Sequence, residues 1–215
     1  MNDLKLKIFL IFLVISSSPI HANEFWGLES WMNSKRAPDF DKITDVKERK
    51  RAFFDYLLPE VQRQNSKIIE LRSRIKNDQV SANKMTALKK YYKFKDDASI
   101  DDLLGSVDVV PTSLVLAQAA YESNWGRSRF AKYHHNYFGL WCFKKGCGVV
   151  PLRRNKNDTH EVAKFASLSK SIAYYMRSIN RNSAYTTLRK IRQNKRDTQQ
   201  SITGTGLAEG LVNYA

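Results

Sequence analysis

The sequence predicts a mainly α-helical domain that carries one small β-hairpin lobe, which is an α+β fold. Apolar residues recur at helical spacing through most of the chain. The main exception is the segment "HHNYFGLWCFKKGCGVVPLRRNKNDTHEVAKF", in which two runs alternate like strands on either side of the turn signal "NKND". With 215 residues, 42% of them hydrophobic, the chain is long enough to bury a sizeable core.

The N-terminal stretch "MNDLKLKIFLIFLVISSSPIHANEF" has the layout of a secretory signal peptide. Two lysines precede an apolar run from Ile8 to Ile15, which is short for a transmembrane helix. We therefore expect a signal peptide at 1–22, cleaved after Ala22, and no integral membrane span after cleavage. An uncleaved anchor or a buried helix is the weaker alternative. We expect an N-terminal helical region over 23–95.

A long helix is predicted to begin at Asp45, because Glu48 follows three residues later in a capping-box-like pattern. Its apolar stripe contains Pro59, which we expect to kink or split the helix. The charged and aromatic stretch Lys89–Asp97 is interpreted as a surface connector, with packing of its tyrosines as an open alternative. After it, Ser99 is expected to cap a short helix.

The stretch "VPTSLVLAQAAYES" predicts the most regular helix of the chain, and its small alanines favour close packing in the core. Leu114, Ala117 and Tyr121 are expected to share one face. Gln118 and Glu122 lie beside that face at the four-residue spacing.

The hairpin is predicted to pair the runs Val149–Arg153 and Thr159–Phe165. Beyond it, Ser167 is expected to cap a helix whose apolar stripe includes Tyr175. A further helix and a short C-terminal one, flanked by glycines, complete the predicted order of elements.

The two cysteines of the chain, Cys142 and Cys147, lie five residues apart in "CFKKGC". In an oxidising compartment, two thiols this close are expected to form a disulfide bond. A zinc site would also need His134 and His135, and adjacent histidines rarely aim at one metal. We therefore expect neither a metal nor a cofactor.

The net charge of +15 favours an anionic partner through long-range attraction. Nucleic acid, anionic lipid and an acidic cell-wall polymer all satisfy this requirement. Export of the chain argues against nucleic acid as the partner.

Glu122 is the single acid of "AAYESNWGRS", at the end of the predicted core helix. Hydrolysis of a glycosidic bond needs a carboxylic acid that stays protonated near neutral pH, and apolar walls raise a carboxyl pKa. Tyr121, Trp125 and the alanines of the helix are candidates for such walls, in a layout like that of lysozyme. From spacing alone, a solvated surface glutamate is the default interpretation.

The motifs "LAQAAYESNWGRSRFA" and "NYFGLW" resemble the glucosaminidase domain of flagellar rod-cap peptidoglycan hydrolases and bacterial autolysins. Together with "RKRAFFDYLLPEV", "CFKKGCGVVP", "THEVAKF" and "LAEGL", they resemble the Bax-type branch of that family, from about Asp45 onwards. The resemblance implies a lysozyme-like glucosaminidase domain over 96–215, with Glu122 as catalytic acid. It also implies cleavage after N-acetylglucosamine in peptidoglycan glycan strands, and a periplasmic location.

The second catalytic carboxylate departs from the family pattern. Relatives carry a glutamate on the first hairpin strand, in a "TEY"-like run, whereas the corresponding strand here is "VVPLRR". Glu161 on the return strand is the nearest candidate, and Asp158 is a poorer one. A surface role for Glu161, or assistance by the acetamido group of the substrate, are alternatives that the sequence leaves open.

Sugar contacts are expected from aromatic and amide side chains near Glu122. Trp125 and Phe138 are interpreted mainly as core residues. Asn136 and Gly139 are interpreted as residues that shape the turn beneath the cleft. Tyr185 ranks highest, because it matches a tyrosine of the family motif "NPxY". The predicted substrate-binding residues are Tyr185, Trp141, Tyr137, Asn136 and Gln118.

The sequence is compatible with three functions. The first is an exported peptidoglycan hydrolase. The second is a non-catalytic protein that binds or scaffolds the cell wall. The missing hairpin acid favours this function, and so does the expectation of a further helix beyond "LAEGL". The third is a basic protein that binds lipid or nucleic acid by charge. An unrestrained wall hydrolase endangers its own cell, which makes a regulatory partner plausible, although the sequence identifies none.

Overall fold

The computed structural model describes residues 36–152, 154–155 and 157–211. The predicted signal peptide at 1–22 lies outside the described residues. Eight helices and three short strands are seen in the described part of the chain, and two 3₁₀ turns lie at 183–185 and 209–211. In chain order the elements are α1 (Val46–Lys76), α2 (Ala82–Tyr91), α3 (Ile100–Ser106), α4 (Thr112–Ser123), α5 (Arg129–His134), β1 (Trp141–Cys142), β2 (Gly148–Val149), β3 (Glu161–Ala163), α6 (Leu168–Arg181), α7 (Thr186–Asp197) and α8 (Gly204–Ala208).

The mainly helical fold with a small β lobe is confirmed, and so are the predicted N-caps. The side chains of Asp45, Ser99 and Ser167 each accept a hydrogen bond from the backbone N–H three residues later. At α3 the cap is reciprocal, because Asp102 also accepts from the backbone N–H of Ser99. Local polar chemistry therefore determines where these helices begin.

Of the two effects predicted for Pro59, a kink or a split, the split of the first helix is wrong. α1 continues from Val46 to Lys76 with Pro59 inside it. Phe53, Leu57 and Val61, on both sides of the proline, are fully buried in the main core. Burial of this stripe against α4 and α6 outweighs the backbone hydrogen bond that the proline removes.

The interpretation of Lys89–Asp97 as a surface connector is wrong for its start, which is helical, whereas the alternative that a tyrosine packs is confirmed. α2 extends to Tyr91, and Tyr92 is 8% exposed. Its ring belongs to a second apolar cluster, formed with residues of α1 and α3 such as Ile75 and Leu103. The large apolar surface of the ring explains its burial despite the charged neighbours.

The side of α4 that carries Ala117 and Tyr121 is not the side that meets the core. Ala117 is exposed and Tyr121 is 85% exposed, whereas Val115 and Ala119 are fully buried. The run "LVLAQAA" is apolar around most of the helix, so spacing alone does not choose the stripe that meets the core. Packing against α1 and α8 makes that choice.

The β lobe is a three-stranded antiparallel sheet with the order β1-β3-β2, not a two-stranded hairpin. The predicted strands Val149–Arg153 and Thr159–Phe165 are longer than the observed β2 and β3, and β1 was missed. β3 is central, with Trp141 opposite Val162 on one side and Gly148 opposite Ala163 on the other. A Cβ on Gly148 would lie 2.1 Å from the carbonyl oxygen of Val162, so this close strand approach requires glycine.

A buried ionic cluster joins α7 to the segment before α4. Asp108 is 1% exposed and accepts hydrogen bonds from Nε and Nη2 of Arg196, both at 2.5 Å. The guanidinium groups of Arg72 and Arg192 lie 3.7 Å from the same carboxylate. Burial alone would raise the pKa of Asp108, but the Arg196 hydrogen bond and the neighbouring positive charges outweigh burial and lower it.

Among the described residues, no helix combines the length and the apolar character that are needed to cross a membrane.

Candidate active site

Glu122 lies in the last turn of α4, where the backbone geometry ends the helix abruptly. Asn124, Trp125 and Gly126 all have positive φ angles, of 50°, 58° and 79°. These left-handed residues turn the chain away from the helix axis directly after the glutamate. The Glu122 carboxyl group is therefore placed at a helix end, half-buried, instead of along an exposed helix side.

The surroundings of the Glu122 carboxyl group favour its protonated form. Partial burial raises the pKa of Glu122, because the carboxylate loses hydration. The C-terminal position in α4 acts in the same direction, since the helix dipole is negative at that end. A carboxyl group in this setting is suited to donate a proton.

One backbone turn lies against this carboxyl group. A Cβ built on Gly139 would lie 3.1 Å from Oε2 of Glu122, so the turn at 136–140 lies directly against the acid. On α6, burial raises the pKa of the Tyr175 phenol, and the charges of Tyr185 and Glu122 act in the same direction. Phe138 stacks on the Tyr175 ring, with centroids 4.2 Å apart and an interplanar angle of 12°.

The walls predicted for Glu122 are not those observed. Tyr121 is directed to solvent, with 85% of its surface exposed, so its prediction as a wall is wrong. Trp125 packs edge-on against Phe53 and Phe54 of α1, with ring centroids 5.6 and 5.5 Å apart. Gly139 instead lies against the acid, in the turn that was predicted to lie beneath the cleft.

Asn136 organises the turn that carries Gly139. Its Nδ2 donates to the carbonyl oxygens of Leu140 and Ala163, at 2.9 and 2.8 Å. Its Oδ1 accepts from the backbone N–H groups of Phe138 and Leu140. At 1% exposure, this side chain ties the turn to β3 instead of facing a substrate, which corrects the prediction of a sugar contact.

Tyr137 is likewise a core residue. It is 1% exposed, and its hydroxyl group shares a hydrogen bond with Tyr56. Its ring packs near Phe53, with centroids 6.3 Å apart. This burial conflicts with the prediction that Tyr137 contacts a sugar. The motif "NYFGLW" does not by itself reveal the burial.

Tyr185 and Gln118 are two further residues that were predicted to contact a sugar. Tyr185, in the 3₁₀ turn before α7, is 9% exposed, and its charge influences Tyr175 as that of Glu122 does. Gln118 lies one helical turn before Glu122. Its Oε1 is buried without a hydrogen-bond partner in the described part of the chain.

Trp141 is the exposed aromatic residue of the β lobe among the predicted sugar contacts. It is 53% exposed, and its indole stacks on the His160 imidazole with centroids 4.1 Å apart and an interplanar angle of 15°. The stacking orients the indole and leaves part of its surface available to a ligand.

Glu161 and the disulfide hold the same loop. The predicted bond between Cys142 and Cys147 is present. Glu161 is 6% exposed, and its two oxygens accept from the N–H groups of Gly146 and Gly148, at 2.9 and 2.8 Å. These hydrogen bonds lower the pKa of Glu161. The two sulfur atoms lie near Glu161, but the bond between them removes the thiolates that a metal would need.

A helical domain with a small sheet and a half-buried glutamic acid at the end of a core helix is the arrangement of a lysozyme-like glycan hydrolase. Residues 98–215 match the glucosaminidase family, described as mannosyl-glycoprotein endo-beta-N-acetylglucosaminidase, and the chain belongs to this family. It is similar to Protein bax of Escherichia coli (strain K12), with 29% identity over 194 residues, which cover 85% of this chain and 69% of that protein. No solved structure matches the chain.

The family membership confirms the resemblance and indicates a cell-wall-related glycosidase that acts on a glycan.

Proposed function

We propose that this protein is an exported, periplasmic peptidoglycan hydrolase that cleaves the glycan strand on the reducing side of N-acetylglucosamine. Glu122 is the general acid in this endo-β-N-acetylglucosaminidase reaction. The observation that carries the proposal is the half-buried carboxyl group with a raised pKa at the end of α4. Protonation of the leaving glycosidic oxygen needs such a group, because a carboxylate that is ionised at neutral pH has no proton to give.

Gly139 gives the substrate room beside the acid. Because it has no side chain, the space 3.1 Å from Oε2 of Glu122 is not filled by a methyl group. A glycosidic oxygen must come within hydrogen-bond distance of the acid for proton transfer, roughly 2.6–3.2 Å between heavy atoms. The turn that Asn136 holds against β3 is in this proposal the floor of the cleft.

Sugar binding in this proposal uses the remaining candidates of the sequence analysis. The exposed indole of Trp141 offers a flat apolar surface to a sugar ring. The buried Oε1 of Gln118 is an acceptor that an acetamido N–H or a sugar hydroxyl can satisfy. Tyr185 is the third proposed sugar contact.

We assign Glu161 a positioning role, not the role of catalytic base. Both of its oxygens are engaged by backbone N–H groups of the disulfide loop, and its lowered pKa makes it a weak proton acceptor. The acetamido group of the substrate then remains as the internal nucleophile that assists the departure of the leaving group, which is a known exception to the two-carboxylate mechanism.

The bond that is cleaved can be read from the products. Purified peptidoglycan is digested with the protein, reduced with borohydride, and the soluble fragments are analysed by mass spectrometry. Reduced N-acetylglucosamine at the new ends supports the proposal. Reduced muramic acid at those ends would keep a glycosidase but overturn the assignment of the bond.

Glu122→Gln tests the acid, since it keeps the side-chain shape and removes the titrating proton. We expect fragment release to be lost while binding to sacculi persists. Glu70→Gln on the exposed side of α1 is the matched control and should retain wild-type activity. Activity of Glu122→Gln close to that of this control would refute the role of Glu122.

A second candidate is a protein that binds the cell wall without cleaving it, and the engagement of Glu161 by the loop favours it. This second function predicts that folded wild-type protein binds sacculi and releases no soluble fragment at any pH from acid to neutral.

A further inference from the structure

A basic cavity lies apart from Glu122, where the end of α6 and the start of α7 meet the segment after α2. Its volume is about 280 Å³. Lys93, Arg181 and Arg189 line it, together with the hydroxyl-bearing residues Ser106, Ser183 and Thr186. No carboxylate is among the residues that line this cavity.

The cavity is separate from the proposed active site although the two share one turn. Ser183 and Thr186 flank Tyr185 in the chain and face the cavity. Tyr185 itself is buried in the main core, where it influences Tyr175. Neither Glu122 nor Gly139, which lies against it, is among the residues that line the cavity.

The three cations of the cavity are not neutralised by ion pairs among the described residues. Arg189 is held by the carbonyl oxygens of Ile179 and Asn182, at 2.9 and 2.8 Å, and these contacts fix its position without cancelling its charge. Arg181 is half-buried, and its Nε is enclosed without a hydrogen-bond partner in the described ranges. An enclosed guanidinium donor without a partner is unfavourable unless an acceptor binds there.

The nearby acid Asp108 does not balance these charges. Its carboxylate is already engaged by Arg196, with Arg72 and Arg192 at 3.7 Å, so this cluster itself carries excess positive charge. The cavity therefore lies beside a buried group of like charge, which increases its attraction for an anion.

The donors match a tetrahedral oxyanion. Arg181 offers a planar fork of N–H donors, and Lys93 adds an ammonium group at the exposed rim. Arg189 adds its charge and the N–H donors that its contacts with Ile179, Asn182 and Thr186 leave. The hydroxyl groups of Ser106 and Ser183 add short polar donors. A volume of about 280 Å³ is small for a ligand of drug size, for which roughly 300–1,000 Å³ is typical, but it accommodates a phosphate group.

We propose that this cavity is a binding site for a phosphate group, either free inorganic phosphate or the headgroup of an anionic phospholipid. Both sources present the same tetrahedral oxygens to Arg181, Arg189 and Lys93. The site acts independently of the glycan reaction, and its occupancy neutralises positive charge that the fold otherwise leaves unpaired.

Isothermal titration of the purified protein with inorganic phosphate tests the site, with ionic strength kept constant by sodium chloride. Arg181→Gln should weaken binding by roughly tenfold, because one charge-assisted hydrogen-bonding group is removed. Arg51→Gln is the matched control, since it removes one positive charge from an exposed position of α1 outside the cavity. Its affinity should equal that of the wild type.

The source of the phosphate is decided with vesicles. Sedimentation with vesicles of phosphatidylcholine and phosphatidic acid is compared with phosphatidylcholine alone, with and without competing inorganic phosphate. Binding that Arg181→Gln abolishes and phosphate displaces supports the headgroup. Binding of phosphate without binding to vesicles supports the free ion.

Two outcomes overturn the proposal. One is the absence of a phosphate signal in wild-type protein. The other is an equal loss of phosphate or vesicle binding in Arg181→Gln and Arg51→Gln, which would assign the effect to overall charge. If Arg181→Gln fails to fold, as judged by its thermal melt, Lys93→Gln at the exposed rim decides between the same outcomes.

Discussion

Replacement of Gly139 by alanine tests the contact between the turn at 136–140 and the acid. The new Cβ would lie 3.1 Å from Oε2 of Glu122. Ordinary contacts between carbon and its neighbours are about 3.5–4.0 Å, so the carboxyl group or the turn must move by a few tenths of an ångström. Gly139 also has a φ angle of 61°, a left-handed conformation that alanine adopts with strain.

Gly146→Ala separates these two effects. Gly146 has a φ angle of 83°, but a Cβ there would meet nothing within 4 Å. Both variants should therefore lose about 1–2 kcal/mol of folding free energy from the left-handed conformation. The alanine at 146 keeps the backbone N–H that donates to Glu161, so only the alanine at 139 disturbs Glu122.

The expected magnitude follows from the displacement. A misplacement of about 1 Å at an active site can reduce the rate about 100-fold, so a shift of a few tenths should reduce kcat/KM by roughly three- to tenfold in Gly139→Ala. The added methyl group also removes water from the Glu122 carboxyl group and raises its pKa further. Because the acid works when protonated, activity falls as pH rises through that pKa, and the alkaline limb should move to higher pH in Gly139→Ala.

Stability is measured by urea denaturation, and activity by the release of reducing ends from peptidoglycan across a pH series. Gly146→Ala should match Gly139→Ala in its change of unfolding midpoint and match the wild type in its pH profile. Equal activity losses in the two variants, or an unchanged profile in Gly139→Ala, would refute the reasoning.

The remaining predictions concern stability. Asp108→Asn should lower the free energy of unfolding by about 3–5 kcal/mol in urea denaturation, because it leaves buried arginines without their partner. The control Asp101→Asn, at an exposed position, should change this free energy little. Equal unfolding midpoints in the two variants would contradict the prediction. The pKa of Asp108 is lower in the folded chain than its usual 3.8, so its contribution is present above that pH and is lost as pH falls through the folded pKa. A double serine variant at Cys142 and Cys147 should lose about 2 kcal/mol, as expected for a short closed loop, and wild-type stability would count against it. Glu161→Gln should lower the melting temperature, and its effect should not add to that of the double serine variant, because both hold the same loop; full additivity would show that they act separately.

The helix starts and the disulfide could be predicted from the sequence because they depend on neighbours in the chain. Asp45, Ser99 and Ser167 cap helices through N–H groups only three residues away. Cys142 and Cys147 are separated by five residues, so an oxidising compartment suffices to suggest their pairing. The stripe on α6 was found for the same reason, since its period follows from the helix itself.

The surroundings of Glu122 could not be predicted in this way. Tyr137 and Trp141 belong to the same short aromatic run, yet one is 1% exposed and the other 53% exposed. Asn136 reaches the carbonyl of Ala163, which lies 27 residues away, and so ties the turn to β3. The different exposure of Tyr137 and Trp141 depends on the strand pairing, which local spacing does not specify.

The sequence by itself determined the family, the helical class and the position of Glu122 at a helix end, because these are properties of motifs and of local chemistry. Only the tertiary structure decided that Gly139 lies within contact of the Glu122 carboxyl group, that Glu161 is bound by the disulfide loop, and that Lys93, Arg181 and Arg189 share one cavity. These contacts join segments distant in the chain, and they form because burial of the core brings those segments together. Propensity and spacing carry no information about which distant partners will meet.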